Sequence, residues 1–462
     1  MATWTEPARQ RDIIFDVDVV VAGGGVSGVY AALAAARAGA STVLIDRQNV
    51  LGGNYGPGWR PPGGRREAIK KPKEEPTGFV GLTLELVTRL EALGFGDSGS
   101  SVYVPKDWMS ESMATSYLLV KILQEAGVQL LLSTFVSDPM LDAQTVTGVL
   151  VENKSGRGAV RAKVLVDATG EADLPRRAGA PIIYPKASYQ EMDLHAPTGI
   201  GGQYAIFGID WEAYSPYLEG DPEEPEDDDE VKVPIPRWQY QGIAYGMTGR
   251  KPFLDPPADA GSGLTISDLD AAFHVKVFEK VQEWKKTLPG FENASLMAMT
   301  PFLGARGGPC IEGEHVVTME DVLEGRRFAD NLYVFIFRPP RPAGTRPPSQ
   351  WTELPYRCMV PKRLDGLLCT GRSASSVPDT LLRGRHMIGL MGEAAGRAAA
   401  MSVSQGVAPR HLDVRPLQQA NVDAGFYLGS DERLAELGEN LTAHVVTGWE
   451  KIDERQRHGQ EA

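Results

Sequence analysis

Cysteine is scarce. The 462 residues hold three, Cys310, Cys358 and Cys369, and none sits in a C-x-x-C pair. A disulfide framework, a cysteine-ligated zinc site and a redox-active dithiol are therefore unsupported, and no metal centre is expected. Long apolar runs are missing too. None approaches the roughly 18 residues of a membrane span, so no membrane contact is expected. The opening MATWTEPARQRD lacks the apolar core of a secretory signal, which points to a cytoplasmic protein. Basic excess is also absent. With 47 Lys and Arg against 60 Asp and Glu, the net charge of −13 argues against a nucleic-acid-binding surface. A local basic pocket remains compatible with it.

What is present concentrates in residues 16–53, DVDVVVAGGGVSGVYAALAAARAGASTVLIDRQNVLGG. An apolar run, Val17 and Val19–Ala22, suits a buried parallel strand. Gly23, Gly25 and Gly28 occupy the glycine places of G-x-G-x-x-G. An alanine-rich helical segment runs from there to about Arg37, and a second strand, Ser41–Ile45, ends on Asp46. Each part has a mechanical reason. Gly23 allows the tight turn, Gly25 lets backbone approach a pyrophosphate, and Gly28 lets helix pack on strand. The helix N-terminus offers free N–H groups to phosphates. Asp46, 18 residues past Gly28, stands where an acid accepts hydrogen bonds from an adenosine ribose. The glycines alone are a weak signal; strand, helix, second strand and acid in register make an ADP-binding unit.

Beyond it, residues 54–73 form a Gly- and Pro-rich loop with six basic residues. It reads either as a lid offering Trp59, Arg60, Arg65 or Arg66 to an anionic substrate, or as a solvated loop. Residues 79–94 and 111–126 carry helical periodicity, and Gly127 suits a C-cap. VQLLLSTFV reads as one buried strand. A hairpin follows, Thr145–Glu152 and 159–166, and its second strand runs into Asp167-Ala168-Thr169-Gly170. Residues 180–360 are richer in aromatics and loops, as expected of a substrate-facing domain inserted in the first. Within it, 219–230 holds nine acids in twelve residues, an exposed loop by composition. Ser267-Asp268-Leu269-Asp270 resembles a capping box. It opens a helix with Leu269, Phe273, Val277, Val281, Trp284 and Leu288 on one face, where His274 is expected to be structural. Residues 338–348, RPPRPAGTRPP, cannot form regular structure. LDGLLCTGRS then gives a strand ending at Gly371-Arg372. A small-residue helix follows, whose start near Met387–Gly389 would aim positive dipole at a flavin ring. The expected architecture is α/β: a Rossmann-like dinucleotide-binding domain with a parallel sheet over 1–180 and 360–410, an inserted α+β substrate domain over 181–359, and a helical tail over 411–462.

Five segments together carry a resemblance: GGGVSGVYAALAAARAG with its LGG, VLVDATGEADLPRRAGAP, IEGEHVVTMEDVLEGRRFADNL, LPYRCMVPKRLDGLLCTGRS and GEAAGRAAAMSVSQGVAPRHLDVRPLQ. In this order they resemble the bacterial FAD-dependent oxidoreductases of the glutathione-reductase-like superfamily. That group also includes the flavin domain of heterodisulfide reductase. The resemblance implies FAD as cofactor, with contacts from Gly23, Gly25, Val26, Ser27, Gly28, Asp46, Arg47, Leu51, Gly52 and Gly53. It further implies Val136 by its backbone at adenine, and Ala168, Thr169 and Gly170 on the adenosine side. Gly371 and Arg372 would lie by the pyrophosphate and ribitol, and Gly389 by the isoalloxazine. The chain departs from the family where Arg306-Gly307-Gly308-Pro309-Cys310 replaces a polar R-E-S-R-R run, and where Tyr333–Pro340 replaces an Asp-x-His element. Cluster cysteines are absent, so no iron–sulfur centre is implied.

No second complete G-x-G-x-x-G exists, the nearest run being Gly199–Tyr204, so no dedicated NAD(P)H domain is expected. A flavin would take hydride from a small organic substrate and pass electrons to oxygen or another acceptor. The candidates for base or anion clamp are Arg383, which matches an arginine of the family pattern, together with His386, Arg306 and Tyr356. Two other readings stay open: a flavin-binding subunit whose redox partner carries the chemistry, and a non-redox flavoprotein.

Overall fold

The computed structural model describes residues 3–60, 62, 80–96, 108–184, 200–218, 230–234, 239–248, 259–305, 307–337, 350–377, 381–382 and 384–438. The first half builds one sheet and the helices around it. In chain order it runs β1 (Ile13–Ala22), α1 (Val26–Arg37), β2 (Thr42–Ile45), α2 (Gly81–Ala92), α3 (Trp108–Glu125), β3 (Gln129–Leu131), β4 (Phe135–Asp142), β5 (Thr145–Asn153), β6 (Gly156–Asp167) and the short α4 (Asp173–Arg177). The strand order is β3-β2-β1-β6-β5-β4, with β6 also pairing a strand from late in the chain. The β3, β2, β1 and β6 strands are parallel neighbours, and β5 and β4 add antiparallel.

Alternation places the side chains of β1. Val19 and Val21 join the core shared with α1, whereas Val20 and Ala22 join the core on the opposite face. Both faces are covered, which is why the run reads as continuously apolar. The expected VQLLLSTFV strand is in fact two, β3 and β4. Ser133 between them takes φ +50°, and the N–H groups of Ser133 and Thr134 donate to the carbonyls of Gln48 and Asp46. Those bonds pull the chain off the sheet and lay it beside the end of β2. The β5–β6 turn is also tighter than expected, with Asn153 paired to Gly156.

The second unit is an antiparallel sheet of β7 (Gln203–Phe207), β8 (Gln239–Tyr240), β9 (Ile243–Met247) and β10 (Ser295–Met299), with α5 (Gly263–Thr287) against it. Leu269, Phe273, Val277, Val281 and Trp284 of α5 pack on Tyr204 and Ile206, as the periodicity predicts. The helix starts earlier than the Ser267 capping box, because the Ser262 hydroxyl accepts from the Thr265 N–H. The opposite sheet face holds Ala205, Tyr245 and Met247 against Trp59, which is 8% exposed. Trp59 is thus buried rather than offered over a substrate. Arg65 and Arg66 fall outside the described residues, as do most of the acidic run and 338–348.

The chain then returns with β11 (Asn331–Phe337), β12 (Gln350–Pro355), β13 (Leu367–Cys369), α6 (Arg385–Gln405), α7 (Val414–Asp423) and α8 (Asp431–Leu437). Strand β13 pairs parallel with β6, and α6 lies along α1. Two glycines permit that contact: a Cβ at Gly392 would stand 2.0 Å from the Ser27 carbonyl oxygen, and one at Gly396 2.1 Å from that of Ala31. Val317, Leu332, Phe335, Leu354 and Met359 share a core with α1 and α6, so the separate second core is confined to 200–303. Leu417, Phe426 and Leu434 enter the first core as well. Among the described residues no helix is long and apolar enough to cross a membrane.

Candidate functional site

The carboxyl ends of β2, β1, β6 and β13 stop level with one another: Ala22 pairs with Ile45 and Asp167, and Asp167 pairs with Cys369. The turns that leave these ends, starting at Asp46, Gly23, Ala168 and Gly371, border one cleft of about 1170 Å³. A parallel sheet offers its ligand crevice at this edge.

One end of the cleft is formed by Asp46, Arg47, Gln48, Thr134, Phe135 and Val136. The Asp46 carboxylate accepts from the N–H groups of Gly24 and Gln48, the latter at 2.6 Å, while burial raises its pKa against those bonds. The Val136 carbonyl accepts from Arg177 at 2.8 Å, and the Arg177 guanidinium lies 5.4 Å from the Phe135 ring centre. The middle is bounded by Gly23, Gly25–Ser27, Ala168–Glu171, Asp173, Gly371 and Arg372. The far end is Gly53, Asn54, Phe302–Ala305 and Ile388. Among the described residues lining that far end, none is titratable; the charged ones, Asp46, Arg47, Glu171, Asp173 and Arg372, lie at the other end and the middle.

A dinucleotide fits this cleft by three observations. A Cβ at Gly25 would meet nothing within 4 Å, so the backbone there faces open space where a ligand can approach. The first turn of α1 has no acid to compete with an anion for its free N–H groups. The Arg372 guanidinium pairs through Nη2 with Glu171, while its Nη1 is buried and has no partner among the described residues.

Thirteen of the expected cofactor residues line the cleft: Gly23, Gly25, Val26, Ser27, Asp46, Arg47, Gly53, Val136, Ala168, Thr169, Gly170, Gly371 and Arg372. Four do not. A Cβ at Gly28 would lie 1.8 Å from the Gly23 carbonyl oxygen, so this glycine serves the helix–strand contact. Leu51 packs over Gly24, and Gly52 sits in its turn at φ +103°. Gly389 turns its missing side chain toward the Tyr30 ring, 2.7 Å away, so it brings α6 onto α1 and leaves Ile388 to face the cleft.

The acid–base candidates fare differently. Arg306 and Arg383 lie outside the described residues. Tyr356 is 3% exposed, its hydroxyl donates to the Pro409 carbonyl at 3.0 Å, and burial pushes its pKa up. It is a core residue away from the cleft. His386 is half-buried and does not line the cleft, its Nδ1 standing 3.1 Å from the Tyr55 hydroxyl. Burial, with the Arg385 charge second, pushes its pKa down to about 3. It is therefore neutral near pH 7. Sequence reasoning missed Asn54, Phe302–Ala305, Glu171 and the buried Asp167. Only the last two carried a signal, as acids flanking Ala-Thr-Gly.

Comparison with known proteins follows the same line. The profile of a family described as FAD dependent oxidoreductase matches residues 18–420. A digeranylgeranylglycerophospholipid reductase from Methanopyrus kandleri is 30% identical over 200 residues, covering 43% of this chain and 46% of the relative. A thiamine thiazole synthase from Methanococcus maripaludis is 30% identical over 166 residues, covering 34% and 57%. The chain thus spans about half the length of these curated relatives. A geranylgeranyl bacteriochlorophyll reductase-like protein from Thermoplasma acidophilum overlays with a TM-score of 0.41 at 14% identity, covering 95% of this chain and 99% of its own.

Proposed function

The chain belongs to the FAD-dependent oxidoreductase family, and from that premise we propose that it is an enzyme oxidising a small organic substrate at a bound FAD, within the glutathione-reductase-like superfamily and its bacterial branch. FAD, when bound, supplies hydride chemistry and passes electrons on to oxygen or another acceptor. The protein's part is to bind, orient and exclude water. The first-turn N–H groups of α1 and the Arg372 guanidinium would hold the diphosphate, with Gly25 leaving room for it. Asp46 would accept from the adenosine ribose, and Thr134–Val136 would flank adenine. Asn54, Phe302–Ala305 and Ile388 would frame the place where substrate meets the ring. An anionic substrate, drawn by the basic loop after Asn54, and a cytoplasmic setting belong to the same reading.

One observation carries it: a single cleft joins the Asp46 end to Ile388 at the start of α6. The purified protein should be yellow, release FAD on denaturation and bleach under dithionite. A colourless protein that FAD cannot reconstitute rules the reading out.

Among the described residues the far end carries no titratable side chain, which favours a second reading, a flavin-binding subunit whose redox partner supplies the acid–base groups. Turnover by the isolated chain, with a dye or oxygen as acceptor, separates the two.

A further inference from the structure

Beneath the middle of the cleft, Asp167 ends β6 with no exposure. Its Oδ1 accepts from the Thr169 N–H at 3.1 Å, the Thr169 hydroxyl at 2.9 Å and the Ser373 hydroxyl at 2.8 Å. Its Oδ2 accepts from the Leu174 N–H at 3.0 Å. Every partner is a donor, which suits a carboxylate: it accepts on both oxygens and donates nothing. While its hydroxyl donates to Asp167, the Ser373 oxygen accepts from the N–H groups of Gly170 at 3.2 Å and Ala172 at 3.1 Å. The two residues so held take φ +95° and φ +51°, the second unusual for alanine. Between them stands Glu171, whose carboxylate takes Nη2 of Arg372.

The outcome is a guanidinium with one edge committed to the protein. Its other amino group, Nη1, is buried and, among the described residues, without a partner, on a side chain that lines the cleft. A buried donor without an acceptor is unfavourable, so this edge calls for an anionic oxygen. Arg372 follows the turn that Ser373 anchors, so both the residue and its carboxylate partner are set by one hydroxyl.

We propose that Asp167 and Ser373 are positioning residues that, through the 170–172 turn and Glu171, aim the free edge of Arg372 at the diphosphate of the bound dinucleotide. The proposal rests on the FAD reading. It assigns a task to Asp167 and Ser373 beyond holding the fold, because the charge they orient belongs to neither of them. Asparagine at 167 would set an amide N–H against one of the donors, whereas threonine at 373 keeps the hydroxyl.

The test is a double-mutant cycle on the flavin-stripped full chain, read as the Kd for FAD from flavin fluorescence quenching. Ser373→Ala and Arg372→Gln should each weaken FAD about tenfold, the equivalent of one charge-assisted hydrogen bond. The double variant should bind no more than about twofold worse than Arg372→Gln alone, since the relay acts only through that arginine. Ser373→Thr should restore binding to within about threefold of the parent, a rescue on the scale of less than one hydrogen bond. Asp167→Asn should follow Ser373→Ala; if it fails to fold, the Ser373 arms decide alone. Independent effects that multiply in the double variant, or Ser373→Ala at the parental Kd, overturn the proposal and leave the FAD reading standing. ADP as a second probe separates the two ideas. The same pattern with ADP but no FAD binding supports the relay and removes the flavin. Binding of neither removes both.

Discussion

A side chain at position 25 would enter open space, whereas one at position 28 would collide with its own turn. Gly25 has φ −71°, an ordinary value for any residue, and its Cβ direction is clear. Gly25→Val should therefore leave the flavin-free protein's urea midpoint within about 0.5 kcal/mol of the parent while weakening FAD at least about tenfold. Gly28→Ala puts its methyl 1.8 Å from the Gly23 oxygen and should lose on the order of 1–3 kcal/mol of stability along with the flavin. His386 gives a pH signature. Its folded pKa, near 3, lies below the ordinary histidine value of 6.5, so between those values the unfolded chain binds the extra proton. Its stabilisation is complete above pH 6.5 and is lost as pH falls through that window. The parent should lose up to about 1.4 kcal/mol per pH unit relative to His386→Gln. Parallel urea midpoints from pH 7 to 4 would refute this. His386 and Tyr356 also mark the limit of reading residue types: both suit acid–base work, but their contacts with Tyr55 and Pro409 come from segments remote in sequence.

Among the elements, α2 has neither an acid in its first turn nor a side-chain cap from Val80. Its N-terminus is satisfied from outside. Glu393, 1% exposed on α6, accepts from the Leu82 N–H at 2.9 Å and pairs with Arg397 one turn along. Arg397 in turn reaches Asn421 of α7 at 2.9 Å. Glu393→Ala would leave the half-buried Arg397 guanidinium without its carboxylate and the buried α2 terminus without its acceptor. The expected loss is about 3–5 kcal/mol by denaturant unfolding, and an effect under about 1 kcal/mol would show that α2 is held by packing alone. The β1–α1–β2 unit was legible because its signals are local: strand, turn, helix and acid follow within one stretch. The start of α6 was legible too, but not its rotation. One residue is about 100° around a helix, and that decided between Gly389 and Ile388 at the cleft. The break between β3 and β4 was hidden because bonds to Gln48 and Asp46, far back in the chain, impose it.

Across the whole molecule, the class of fold could be read from alternating apolar strands and helical segments, but the division into cores could not. Residues 317–359 look like their aromatic neighbours in composition, yet Leu332, Leu354 and Met359 pack with α1 and α6. The far end of the cleft was illegible for the same reason. Phe302–Ala305 come to it from the second unit, through the pairing of Gly304 with Gly201, and no local periodicity announces that approach.

The close seating of Gly392 on Ser27 and Gly396 on Ala31 has a consequence for biosynthesis. The wall behind the N-terminal turn is made by a helix that leaves the ribosome more than 350 residues later. At ~5–20 residues per second, the nascent Ser27 waits roughly 20–70 s for its neighbour to be translated. Cofactor capture is therefore a late event, completed on a chain whose middle has already emerged.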